Sequence, residues 1–368
     1  MRLETIINYV RKRKLKLLLV RGMEMDDVSK CWEMLPKVSR SFALCIRVLP
    51  KPLDEQMMLS YLIYRVIDTV EDSAAPLAAK GEIFGAFLGA LSSRRMDCGK
   101  VAECKGRLCA EISCTYEAEL LKNVDAVVRA YYSQPAEVRK CILKRGRTMA
   151  KGMYGFQKKG IETFADQNNY SYYVAGVIGY LFNDLLLYNG IITLELKRKL
   201  RRYARHFGLA LQKVNILRDI AHDIAQNRRY WPKKLIAKYK LSYESLCLRE
   251  NREAALKVLH EQVKNARRYL ESAMKYVLLL PEKALRVRMF CLIPLFMAIE
   301  SYVKCAQSDI FDPAQKVKIS REEVRDIVAK SGLWGTSNDK LALWFSQSMA
   351  RVAGSGFEQE YSLLFNKV

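Results

Sequence analysis

Residues 61–72, YLIYRVIDTVED, restrict the fold more than any other stretch of the chain. Wound as a helix, they put Tyr61, Arg65, Asp68 and Asp72 about one turn apart on one stripe, while Leu62, Ile63, Val66, Ile67 and Val70 cover the rest of the circumference. A helix that is apolar over most of its surface has to be buried, so its charged stripe must face an enclosed polar space. Two carboxylates one turn apart lie roughly 5 to 6 Å apart at Cβ and repel unless a cation sits between them. Hard oxygen ligands point to Mg²⁺. A lone DxxxD is more often a solvated acidic face; the apolar surroundings and a second acidic pair downstream favour the metal reading here.

Helical periodicity runs from end to end, and strand-like alternation with two-residue turns is missing, so the chain reads as all-α. Half of its 368 residues are hydrophobic and no Gly/Ser/Pro-rich linker divides them, which predicts one large helical domain over 26–335. A basic N-terminal helix over 1–25, suited to lying on a membrane surface, precedes it, and a weakly patterned tail over 336–368 without a membrane anchor follows. No apolar run reaches the length of a membrane span without a charge or break. The ten cysteines form no CxxC pair and read as reduced, mostly buried thiols, which predicts a reducing, cytoplasmic compartment; the protein is expected to be a monomer, peripheral to a membrane at most.

The formal charge of +23 calls for an anionic partner. No zinc-finger spacing or RNP-like aromatic motif supports nucleic acid, which leaves phosphorylated small molecules and anionic membrane surfaces.

Further motifs fall in order along the chain. Asp26 or Asp27 caps a helix that Pro36 ends after Leu35. Ser39, Arg40, Ser41 and Phe42 follow, a short loop whose donors near a helix start suit phosphate oxygens, although a plain cap explains them too. Residues 94–107 lack a firm apolar stripe and read as a surface connection; helices are expected over 108–131 and 135–159. In 166–190, Tyr170 stands at a helix start, Val174 is apolar, and the small residues at 175, 176 and 179 allow close approach to the backbone. Residues 212–223 repeat the logic of the first stripe, with Asn215, Asp219 and Asp223 four residues apart, Gln212 one turn earlier and Arg218 adjacent. His222 beside them is as readily a surface imidazole as a site residue. Residues 227–232 form a loop with Arg228 and aromatics, 290–302 form an almost wholly apolar helix carrying Pro294, and Ser320 with Glu323 makes a capping-box pattern.

The stretches 39–42, 61–72, 170–179, 211–223, 228–232 and 290–298 resemble, in family order, the squalene and phytoene synthases, and among them the squalene synthase branch. The resemblance implies an isoprenoid-synthase α-fold: a central cavity flanked by two aspartate-rich helices, where two farnesyl diphosphates are joined head to head and the product is reduced by NADPH. By motif, Asp68, Asp72, Asp219 and Asp223 would hold Mg²⁺. Ser39, Arg40, Ser41, Arg65, Arg218 and Arg228 would bind phosphate oxygens, and Tyr170 would assist ionisation or proton loss. Phe42, Tyr61, Val174, Leu211, Gln212 and Asn215 would line the site. No GxGxxG fingerprint is present, so Lys316, Lys318 and Arg321 are the candidates for NADPH. Two positions depart from the family pattern, His222 for a usual Glu and Ser73 for a frequent Asp. A non-reducing relative, ending at presqualene diphosphate, dehydrosqualene or phytoene, and a non-catalytic helical lipid-binding or assembly factor are the competing readings.

Overall fold

The computed structural model describes residues 26–112, 117–315 and 317–353. The expected helix over 1–25, Lys316 and the end of the expected tail lie outside the described residues. Within them the chain is helical without a strand. The first half comprises α1 (Asp27–Val38), α2 (Arg40–Val48), α3 (Leu53–Asp72), α4 (Leu77–Ser92), α5 (Cys98–Glu111), α6 (Ala118–Lys122), α7 (Val124–Tyr132) and α8 (Ala136–Lys159). Then come α9 (Phe164–Ser171), a π-helical turn (Tyr172–Gly176), α10 (Val177–Tyr188), α11 (Leu194–Arg218), α12 (Ile220–Ala225) and α13 (Lys233–Lys238). The chain continues with α14 (Arg252–Leu279), α15 (Leu285–Gln307), α16 (Arg321–Trp334) and α17 (Asn338–Ala353).

The buried helix required by residues 61–72 is α3, which packs against α1, α2, α4, α7, α8 and α10. Leu62, Ile63, Val66, Ile67 and Val70 are fully enclosed. Across the molecule α11 plays the matching part, touching α10, α14 and α15. Close packing there depends on glycine. A Cβ at Gly179 would run into the Ala204 carbonyl, and one at Gly208 into the Ala175 carbonyl, so the backbones of α10 and of the π-helical turn before it meet that of α11 with no room for a side chain. The chain leaves α8 through Gly160 at φ +73°, in the left-handed region.

Helix ends follow their caps. Asp26 accepts from Ser29 N at 2.8 Å to start α1, and Ser320 and Glu323 form the expected reciprocal box at the start of α16. Pro36 does not end α1, contrary to expectation. The carbonyl it cannot bond, that of Trp32, instead takes Arg47 Nη2 at 3.3 Å, and the helix continues to Val38. Residues 94–107 are likewise not a plain connection. Asp97 caps α5, and Val101, Cys104 and Leu108 bury one narrow stripe of it. The helical stretch expected over 108–131 is divided: its start belongs to α5, which ends at Glu111, and its later part breaks at Asn123 into α6 and α7. At the other end α17 is a formed helix whose Trp344 ring stacks 3.4 Å from Phe296 on α15. Among the described residues α15 alone is long and apolar enough to cross a membrane, and it runs through the core, with Pro294 inside it.

Candidate active site

α3, α8, α10, α11 and α15 enclose a cavity of about 230 Å³. Its lower walls are apolar, built from Ile46, Met57, Met149, Phe182, Phe290 and their neighbours. The Phe182 and Phe290 rings lie 4.7 Å apart, and Phe207 meets Tyr276 edge-on at 5.7 Å. At its mouth stand Tyr61, Arg65 and Asp68 from α3 facing Leu211, Gln212 and Asn215 from α11, with Phe42 and Val174 on the lining. All eight were expected at the site. Phe42 and Tyr61 form an aromatic pair at 5.4 Å.

The acidic residues gather around this mouth. α11 ends at Arg218, and the chain turns through Asp219 into α12, yet the helical bonding continues: Asp219 N donates to Asn215 O and Asp223 N to Asp219 O. The two carboxylates therefore stay one turn apart, as expected, despite the break. Each of three aspartates is held by a guanidinium. Arg65 pairs with Asp68 and with Glu117, Arg228 reaches Asp72 at 3.3 Å, and Arg218 grips Asp219 through both of its oxygens, at 2.7 and 2.6 Å. Burial raises Asp68 against the pull of Arg65. Burial and then its neighbour Asp68 push Asp72 up to about 6, even though 34% of its side chain stays accessible. Burial and then Asp219 push Asp223 up to about 7. Asp223 and Asp72 also repel each other, which ties the two acidic pairs into one electrostatic unit.

In this arrangement no three His, Cys, Asp or Glu side chains converge on one point, among the described residues, closely enough to hold an ion. The donor set nonetheless fits a hard cation. It is all oxygen, it is crowded, and the raised proton affinities of Asp72 and Asp223 express a demand for positive charge that the arginines meet only in part.

Two residues absent from the expected set are central. Glu71, 5% exposed, accepts from the Tyr170 phenol at 3.2 and 3.3 Å, and burial followed by Asp72 pushes it up to about 8. Tyr170 itself is buried, stacks on Tyr230 at 4.9 Å and is held well above the ordinary phenol range, so it remains a donor. Glu117 joins Arg65 from a segment 52 positions away, a pairing that no local pattern reveals.

Other expected residues stand elsewhere. Ser39 caps α2, accepting from Phe42 N at 3.2 Å, and its side chain also hydrogen-bonds the Tyr61 phenol at the mouth, while Arg40 and Ser41 are exposed on the first turn of α2. None of the three lines the cavity. Lys318 and Arg321 are exposed near the start of α16 and do not line it either, and Lys316 lies outside the described residues. His222 is exposed, in keeping with a surface imidazole, and the Ser73 hydroxyl donates to Val70 O at 2.9 Å, closing α3.

Comparison with known proteins gives consistent results. Residues 35–323 match the family profile described as squalene/phytoene synthase. The chain is 31% identical to squalene synthase of Schizosaccharomyces pombe over 83% of its length and 65% of that protein. It is also 31% identical to squalene synthase 1 of Arabidopsis thaliana, over 76% of its length and again 65% of the relative. The chain thus spans slightly less than two thirds of these relatives. A solved ligand complex of TcSQS superposes with a TM-score of 0.79 at 27% identity, covering 91% of this chain and 93% of that one.

Proposed function

Because the chain belongs to the squalene/phytoene synthase family, we propose that it condenses two farnesyl diphosphates head to head into presqualene diphosphate and converts that, with NADPH, into squalene for sterol or triterpenoid synthesis. The observation that carries this reading is one cavity with an apolar interior whose mouth carries Arg65 and Asp68, with Asp72, Asp219, Asp223 and their arginine partners gathered beside it. Breaking an allylic C–O bond leaves a diphosphate and a carbocation, which need opposite surroundings. Arg65 at the mouth, with Arg218 and Arg228 beside the neighbouring aspartates, would supply positive charge to the leaving diphosphate, and the apolar walls keep water from the cation. The faces of Phe42 and Tyr61, paired beside the mouth, lie where they can stabilise positive charge.

Asp68, Asp72, Asp219 and Asp223 would hold Mg²⁺, whose chemistry is to neutralise the leaving diphosphate. Tyr170 is a buried donor set against Glu71, and a carboxylate with its proton affinity raised to about 8 is matched to taking up a proton near neutral pH. We assign this pair to proton movement in the condensation. The reductive half rests on family membership alone. Lys318 and Arg321 stand apart from the cavity lining.

The test is to incubate the pure protein with farnesyl diphosphate and Mg²⁺, with and without NADPH, and to identify the products by mass spectrometry. Squalene only in the presence of NADPH supports the proposal. An identical product without NADPH makes the protein a non-reducing relative, and untouched substrate makes it a non-catalytic member.

A further inference from the structure

The helices that wall the cavity carry an unusual charge on their outer side. α8 and α11 flank α10, and Met149, Phe182 and Phe207 from the three helices line the cavity. On α8, Lys140, Lys144, Arg147, Lys151 and Lys158 recur at steps of four, three, four and seven residues, which keeps them on one face, and all five are exposed. Arg198, Arg201 and Arg202 are exposed on the first half of α11. Counted over α8, α10 and residues 194–205, eight, none and six basic residues stand against one acidic residue each. Fourteen minus three leaves an excess of eleven, almost half of the net +23 of the whole chain.

The few acids are already engaged. Asp184 pairs with Arg145 and Lys197 at 2.7 and 2.6 Å, Glu137 with Lys140 at 2.8 Å, and Glu195 with Lys199 at 2.7 Å. Among the described residues Lys144, Lys151, Arg198, Arg201 and Arg202 have no such partner, so the face repels itself until an external anion covers it. Between the two basic rows lies Tyr180, whose ring has Arg145 at 5.3 Å and Arg201 at 5.6 Å. At one end Tyr188 is 45% and Leu194 51% exposed. A broad field of basic side chains with amphipathic rings and an exposed leucine matches the boundary of an anionic bilayer, where each component finds its preferred depth. Against nucleic acid the leucine would gain nothing, and the face offers no protruding element to enter a groove.

We propose that this face docks the protein on an anionic lipid surface, which would set the cavity wall, a single layer of helices, against the membrane. The inference is independent of the reaction proposed above. Flotation of the full chain with phosphatidylcholine vesicles, with and without phosphatidylserine, tests it. Phosphatidylserine-dependent, salt-sensitive binding is expected. Each basic side chain near such a surface contributes about fivefold, so the triple variant R198A/R201A/R202A should bind roughly a hundredfold more weakly, as should K144A/R147A/K151A. Both should keep the circular dichroism of the parent, and a variant that does not is replaced by the corresponding glutamine triple. The variant K257A/K264A/K275A on α14 should bind as the parent does. Normal binding by both face variants, or loss confined to R11A/K12A/R13A/K14A in the N-terminal segment, would overturn the proposal. So would RNA that competes the protein off vesicles while depending on the same side chains, because the partner would then be nucleic acid.

Discussion

Replacing Lys213 by methionine should stabilise the protein at neutral pH and destabilise it in alkali. Lys213 lies on the side of α11 turned away from the cavity, 3% exposed, and its Nζ donates to Gln167 Oε1 at 2.7 Å. The faces of Tyr269 and Phe164 lie 5.5 and 5.8 Å away, and no carboxylate pairs with it among the described residues. Burial, and then the charge of Arg268, lower its pKa from 10.5 to about 7. The unfolded chain therefore holds this proton up to pH 10.5 and the folded one only up to about 7. Between those values the unfolded state binds more protons, so the contribution of Lys213 to stability rises with pH and is least favourable below 7. At about 1.4 kcal/mol per pH unit the full window amounts to about 5 kcal/mol. Methionine removes that cost and leaves the Gln167 oxygen unpaired, a loss of about 1 to 3 kcal/mol. The variant should thus gain about 2 to 4 kcal/mol near pH 7 and lose about 1 to 3 kcal/mol near pH 10.5. Urea unfolding of parent and variant at several pH values across the window gives the difference free of other titrating groups. A difference that stays constant with pH would refute the reasoning, because the buried ammonium would then be as well solvated as one in water.

Asp72→Asn and Asp219→Asn should each lower turnover of farnesyl diphosphate by on the order of 10²-fold or more while the melting temperature stays close to that of the parent; near-normal rates would remove the case for metal at these carboxylates. Glu71→Gln keeps an acceptor for the Tyr170 phenol but cannot take up a proton, so kcat should fall by about 10²-fold with KM little changed, and an equal rise in KM would make Glu71 a binding residue instead. Gly208→Ala forces a methyl group into the Ala175 carbonyl and should cost about 1 to 3 kcal/mol in denaturant unfolding.

The opening stripe of α3 was legible because local spacing encodes it: Tyr61, Arg65 and Asp68 need only helical geometry to share a face, and the enclosed Leu62, Ile63 and Val66 follow from the same period. The facing set on α11 was legible for the same reason, and so was the need for small residues at 176 and 179. What escaped depends on distance or on weak patterns. Arg65 could not be matched to Glu117 across 52 positions. Glu71 carries no pattern of its own and gains its part only when the fold sets Tyr170 against it, and the basic residues around Val101, Cys104 and Leu108 obscured a stripe narrow enough to bury α5. Ser39, Arg40 and Ser41 stand at the start of α2, where Ser39 caps the helix and hydrogen-bonds Tyr61 while Arg40 and Ser41 face outward. Pro36 reads as a stop only while nothing else can satisfy the Trp32 carbonyl, and Arg47 comes from the next helix to do so.

The arginine–aspartate pairs at the mouth bear on how ligands of opposite charge would sense one another. Arg228 with Asp72 and Arg218 with Asp219 are each neutral as they stand, while Arg65 is shared between Asp68 and Glu117. A cation binding alone strands a guanidinium, and an anion binding alone strands a carboxylate. Arriving together, they exchange partners, and every charge remains compensated. Cation and diphosphate should therefore bind with positive heterotropic cooperativity, each raising the affinity of the other by the same factor. The mouth would then discriminate against either one alone without any moving lid.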